Sequence, residues 1–293
     1  MKKYVLMLLA LLCAGLTKAQ DSTATNAGDT IKVGNFIIIK NKKKSDDRDT
    51  TGRDPHATID ITIGNDDDVD NDDEENSKPS NISTNWFIFD LGFANMRDKT
   101  DYGSPEANAY LNANGGAAFT ADDLDLNTGK SSNVNLWFFM QKLNITKHVL
   151  NLKYGLGMEM YNYRYKKAIS YNDDPSYIYR DSVSFSKNKL FVNYLTVPLM
   201  FNINATPEKR KGFTLSAGVS AGYRISSRNK QISDERGKDK IKGDFDLEPW
   251  RFAYVAEMGI GPVRVYGSYS VNTLHQNGLQ QYPYTVGLRF SNW

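Results

Sequence analysis

The chain of 293 residues has one cysteine, three histidines and, after its first few residues, no long apolar run. Each scarcity excludes something. Cys13 lies inside the apolar stretch 4–16, preceded by Ala10-Leu11-Leu12, which lacks the small residues of a lipoprotein processing site. Without that stretch the chain has no thiol, so disulfides and thiolate chemistry are excluded. His56, His148 and His275 fall in segments of different character, and no histidine-based metal cluster is expected. A spanning helix needs about 20 apolar residues, and residues 4–16 are too few. No later segment comes closer. The mean hydropathy of −0.53 resembles that of a soluble protein, but strands that alternate apolar and polar residues hide a greasy face from any average.

What is present begins with a leader. Lys2 and Lys3, the apolar stretch and Thr17-Lys18-Ala19-Gln20 make a cleavable secretory signal, with cleavage after Ala19 or Gln20. The net charge of +2 decides little, because the acid is concentrated in residues 66–75. Three parts are expected: a signal at 1–20, a periplasmic extension at 21–83 and a barrel at 84–293. In the extension, residues 29–40 read as two short strands about a Gly34-Asn35 turn, and 57–63 as a further strand. The acidic run repels itself and is expected to stay extended. A lone hairpin is barely stable in water, so the extension is expected to be mostly disordered.

From Asn85 onward the pattern changes to period two. Eight candidate strands fall at 86–95, 133–141, 150–163, 191–203, 213–225, 251–260, 263–271 and 282–290, most of them near the length of a tilted spanning strand. In the last, Tyr284, Val286, Leu288 and Phe290 are apolar, with Thr285, Gly287 and Arg289 between them. Such a strand has one greasy and one polar face. The first strand offers Phe87, Phe89, Leu91 and Phe93 outward, and the fifth Phe213, Leu215, Val219 and Tyr223. The second slips out of alternation after Lys142, the sign of a bulge or the strand's end. Long polar connections (96–130, 164–188, 226–250) alternate with short ones (144–149, 204–212, 261–262), as outside loops and periplasmic turns do in bacterial barrels. The fold class expected is all-β: an eight-stranded antiparallel up-and-down transmembrane β-barrel in a Gram-negative-type outer membrane, with both termini periplasmic. A two-residue turn at Gly261-Pro262 sets Ile260 opposite Val263 and Gly259 opposite Arg264, leaving Glu257 diagonal to Arg264.

An eight-stranded barrel leaves a lumen just wide enough for side chains. Inward candidates are Asp90, Glu159 and Glu257 against Lys153, Arg224, Arg251, Arg264 and Arg289, with Trp86, Trp137 and Tyr266. Buried charges must pair, so the lumen is expected to be plugged and ion-paired and not to conduct.

These residues support a comparison. Tyr194-Leu-Thr-Val-Pro-Leu-Met-Phe201 resembles the Tyr-Leu-x-Ile-Pro-Leu strand of the PorT-like outer-membrane β-barrel family, and 213–223 its following glycine-rich strand. Val263-Arg-Val-Tyr-Gly-Ser-Tyr-Ser270 and Val286-Gly-Leu-Arg-Phe290 fit as well. Pro198 is the most specific mark, since a proline inside a central strand lacks a ladder donor. The resemblance spans about 85–290 and implies a small barrel with extracellular loops. Some members of that family assist secretion-machinery assembly, a role nothing in this chain singles out.

Chemistry is sparse. A lipid-modifying enzyme would have to be assembled from His275, Ser270 and Asp244 or Asp246, common loop residues that chance explains easily. In 66–77, Asn71 and Ser77 stand where a calcium loop needs Gly and Glu, so a solvated spacer is the better reading. No catalytic, cofactor or metal site is expected. The function expected is an integral barrel with a structural or interaction role; a narrow channel or transporter, an enzyme and a soluble secreted β-protein are the alternatives. Its partners are outer-membrane lipid, the barrel-assembly machinery during insertion, and a periplasmic or cell-surface protein, with no nucleic acid. The tyrosine-rich loop 161–179 is either a contact surface or a strand carried above the membrane.

Overall fold

The computed structural model describes residues 30–33, 36–40, 59–63, 80–112, 116–205, 212–260 and 262–291. The leader and the acidic run lie outside these. The chain divides into two units, Met1–Asn76 and Ser77–Trp293. In the first, β1 (Thr30–Val33) and β2 (Phe36–Lys40) form the hairpin expected around Gly34-Asn35, with Val33 opposite Phe36, and β3 (Ile59–Ile63) pairs along the other edge of β2.

The second unit contains a closed ring of eight antiparallel strands. In chain order they are β4 (Ile82–Asp98), β6 (Ser132–Thr146), β7 (Leu150–Arg164), β10 (Lys187–Asn204), β11 (Phe213–Ser233), β13 (Trp250–Ile260), β14 (Val263–Ser270) and β15 (Gln281–Phe290). Each pairs with the next, and β15 pairs with β4 to close the ring, leaving the barrel no free edge. The β13–β14 register is the one read from the turn, with Ile260 opposite Val263 and Gly259 opposite Arg264. Phe89, Leu91, Phe93, Leu199, Phe201, Val219, Tyr254, Val286 and Leu288 are exposed on the outer wall, while their strand neighbours are buried or half-buried. So continuous an apolar wall is a lipid-facing surface, because water would drive it to aggregate.

Trp86 is not in the lumen. Phe87 has φ +54°, outside the strand region, and the two successive side chains Trp86 and Phe87 both face outward, 51% and 65% exposed. The facing strand β6 also breaks step: its register with β7 shifts between Trp137 and Phe139 and again between Asn144 and Thr146. The second shift is the irregularity expected after Lys142; the first falls inside the expected strand 133–141 and lets the Trp86 ring lie against Phe139, centroids 5.9 Å apart. An extra residue on one strand re-aims everything beyond it. At Pro198, β10 skips its pairing with β7 between Thr196 and Leu199, as a strand without that donor must.

The long connections carry structure of their own. Beyond β4 come the helix α1 (Pro105–Tyr110), capped by the Ser104 hydroxyl, and β5 (Leu111–Asn112). β8 (Ile169–Asn172) and β9 (Tyr177–Arg180) follow β7, and β9 pairs with both β5 and β8. β12 (Gly237–Lys242) folds back along the end of β11. A single apolar cluster joins these pieces, with Tyr110, Leu111, Phe119, Leu124, Ile169, Tyr171, Ile178, Phe245, Leu247, Leu274 and Leu279 buried in it. The loops form a folded cap over one end of the barrel.

Candidate functional site

The alternation that turns aliphatic residues outward on β4, β7, β13, β14 and β15 turns charged ones inward. Asp90 on β4 lies directly opposite Arg289 on β15. The guanidinium grips it with two hydrogen bonds of 2.7 Å, and Trp137 Nε1 (2.7 Å) and Asn135 (3.0 Å) donate to the same carboxylate. Arg289 is itself opposite Arg264 on β14, a like-charge pairing that needs an anion. Glu257 on β13 provides it: its carboxylate accepts from Arg289 at 2.5 Å and from Ser216 at 3.0 Å, pairs with Lys153 from the far wall, and has Arg264 at 3.9 Å. Toward the cap, Arg251 donates to Glu159 (3.0 Å) and Ser268 (2.9 Å), and Thr196 donates to Glu159 (3.1 Å).

Seven of the eight sequence candidates, Asp90, Lys153, Glu159, Arg251, Glu257, Arg264 and Arg289, are thus brought together in the lumen. Arg224 is not. It stands at the cap end, bonded to Ser227 and Asp244 at 2.8 Å each and to the Leu247 carbonyl at 3.2 Å. The expected inward phase is correct for Arg224, but at that height the folded connection 243–249 offers it closer oxygens than the lumen does. Tyr284, Val286, Leu288 and Phe290 line the outer face of β15 where it closes on β4.

Close packing depends on two glycines facing each other. Gly287 is opposite Gly92 on one side and Tyr266 on the other, and Tyr266 reaches across both to bond Asn133 at 2.5 Å. A Cβ on Gly287 would sit 2.4 Å from the Leu91 carbonyl and 2.8 Å from the Tyr266 ring. Between Trp137, Glu159, Met200, Tyr266 and Arg289 a void of ≈ 20 Å³ is left, about one water's worth. Ions moving through would have to break charge-assisted bonds that are short and bidentate.

In the cap, Arg180 bonds Asp123 twice, at 3.1 and 2.8 Å, and the Ala117 carbonyl at 2.6 Å. That pairing holds the Asp123 carboxyl down at about 2. His275 is fully buried, its ring stacked parallel to Tyr171 and tilted against Tyr110. Neither ring nitrogen has a hydrogen-bond partner. Burial pushes its pKa down to about 3, so the imidazole is neutral. Phe245 and Asp246 both have φ near +50°, and Asp173 and Tyr110 bond the backbone at Phe245. Strain of this kind persists only where its surroundings hold it. The sequence reading missed this cap, and it missed Asn133, Asn135, Thr196, Ser216 and Ser268 as partners of the lumen charges. Their inward phase within the strands was the available signal.

A family model described as "Outer membrane protein beta-barrel domain" matches residues 94–276. Among solved structures, the crystal structure of Ail, the attachment invasion locus protein of Yersinia pestis, aligns with a TM-score of 0.28 at 10% identity, over 71% of this chain and 98% of that one. The same protein in complex with the heparin analogue sucrose octasulfate aligns with the same values. No curated protein matches the chain.

Proposed function

Since the chain belongs to the family of outer membrane protein β-barrel domains, we propose that it is a non-conducting outer-membrane anchor of PorT-like type that presents a folded cap outside the cell. The single observation that carries this reading is the lumen: a ring of eight strands filled by the Asp90–Arg289–Glu257–Lys153 chain of ion pairs. A channel needs a continuous aqueous path, and a void of ≈ 20 Å³ is no such path. Against a lipid-modifying enzyme stands the burial of His275, the one histidine in the cap among the described residues, whose ring is enclosed by aromatic side chains. The cap would be the surface that meets a protein partner. The short turns and both ends of the barrel would face the periplasm, where the extension would hang.

Planar-bilayer recording on the refolded mature protein tests the closed lumen, and the expected result is no steady conductance. A persistent large conductance would replace this reading with the channel. Orientation is tested by a cysteine at exposed Lys238 on intact cells. A membrane-impermeant maleimide is expected to label it, and labelling only after outer-membrane rupture would reverse the topology.

A further inference from the structure

Beyond the lipid band, β7, β10, β11 and β12 continue as a four-stranded sheet with two unlike faces. The inner face is covered by the cap: Asn188 and Gln231 donate to the Ile169 carbonyl at 2.5 and 3.0 Å, and Ile241 packs on the cap's apolar cluster. The outer face is basic. Arg164 is opposite Lys189, Lys189 opposite Lys230, and Lys230 opposite Lys240, so four cations stand in one row across four strands. The adjoining rows add Arg228 opposite Lys242, and Lys238 opposite Ile232 beside Lys187.

Like charges directly opposite each other destabilise a sheet. Four in a row leave this face with a positive charge that a counter-charge from outside the sheet would offset. The nearby carboxylates do not offset it: Asp239 has the opposite phase, Asp234 and Glu235 belong to the turn between β11 and β12, and Asp181, just past β9, is engaged by Arg236. Among the described residues none of these row cations makes an ion pair with a carboxylate.

Position says what the counter-charge is. The basic face is the upward continuation of the lipid-facing wall. Along β10 the outward residues run Phe201, Leu199, Val197, Leu195, Asn193, Phe191, Lys189, Lys187, and along β11 they pass from Tyr223 and Ile225 to Arg228 and Lys230. The exposed aromatics Tyr223, Trp250 and Phe252 pack together just below. Such belts mark the edge of the hydrocarbon. Arg228 lies three residues past Ile225, roughly 10 Å of strand, and long basic side chains reach further along the surface. The cations therefore look sideways at the headgroups of neighbouring lipids and not up into solvent.

We propose that this outer face of β7, β10, β11 and β12 binds the phosphate groups of outer-leaflet lipid, fixing the height of the cap above the membrane. The proposal rests on the outer-membrane reading with the cap outside. The full mature protein in detergent is offered bisphosphorylated lipid A, the same lipid with both phosphates removed, and a soluble sulfated polysaccharide, and bound ligand is measured by native mass spectrometry and by displacement. The expected result is preferential retention of the phosphorylated lipid, with affinity about tenfold or more weaker in the triple variant Lys189→Gln/Lys230→Gln/Lys240→Gln. Equal retention of the dephosphorylated lipid, or no loss in the variant, would overturn it. So would equally tight binding of the polysaccharide, which would make the face a site for a soluble polyanion. Heat-modifiable gel migration verifies that the variant is folded; if it is not, Lys238→Gln/Lys242→Gln, confined to exposed positions of β12, is expected to give a smaller loss of the same kind. Liposome flotation of the unaltered protein reports separately on the membrane reading, so its failure is distinguishable from failure to bind phosphate.

Discussion

Asp90 accepts four hydrogen bonds: two from the Arg289 guanidinium, one from the Trp137 indole and one from Asn135. It is buried away from water, and replacing it with an uncharged side chain leaves Arg289 with Glu257 as its one carboxylate partner. Removing one partner of a buried pair costs about 3–5 kcal/mol. Asp90→Asn keeps the shape and loses the charge, so a destabilisation of about 3 kcal/mol is expected from urea titration of the refolded barrel in vesicles. Asp90→Asn/Arg289→Met, which removes both charges, is expected to recover part of it, as replacing whole buried pairs by apolar groups often does. A single variant as stable as the parent would mean that the lumen is wet and the pairing weak.

At the scale of single strands, alternation does most of the work, and its failures are local. One residue with φ +54° puts Trp86 and Phe87 on the same side, and one register shift in β6 matches it. Neither departure shows in a hydropathy pattern, because Trp, Phe and Phe-Phe fit a lipid wall as well as a packed interior. The closing strand shows the opposite case. β15 carries Gly287 at an inward position because the Tyr266 ring occupies the space over Gly287 and Gly92. Gly287→Val is expected to cost about 1–3 kcal/mol by overpacking, read as a lower urea midpoint with an unchanged slope. An unchanged midpoint would show that β15 and β4 part easily at the seam of the ring.

For the molecule as a whole, the cap and the barrel wall are stabilised by different chemistry, and acid separates them. His275 is neutral in the folded cap, with its pKa at about 3 against 6.5 in the unfolded chain. Between these values the opened cap binds the extra proton, so stability falls as pH drops, by about 1.4 kcal/mol per pH unit. Above pH 6.5 the full contribution is present. Asp123, held at about 2 by Arg180, loses its contribution only at lower pH, below its ordinary value of 3.8. Protection factors of the amides in 165–181 and 244–280, corrected for the intrinsic exchange rate at each pH, are therefore expected to fall between pH 6 and 4 while those of the barrel strands hold. His275→Phe is expected to abolish that step. If the wild-type cap keeps the same protection factors at both pH values, the His275 ring is not enclosed in the folded cap.

Period-two alternation of apolar side chains, with turn residues between, was enough by itself to determine the eight strands, their outward faces and the β13–β14 register, since each is a local property of a pleated chain. It also named the seven charges that come together in the lumen, because a residue's phase in a strand fixes which side it faces. Arg224 and Trp86 went elsewhere for reasons that alternation does not contain: a folded connection supplied closer oxygens, and one left-handed residue reversed a phase. The cap was illegible for the same kind of reason. Its core is assembled from Tyr110, Ile169, Phe245 and Leu274, which belong to four different connections, and no periodicity links residues that only the closed ring brings to one end. The row Arg164, Lys189, Lys230 and Lys240 is likewise scattered along the chain and becomes a surface only when three strand registers align it.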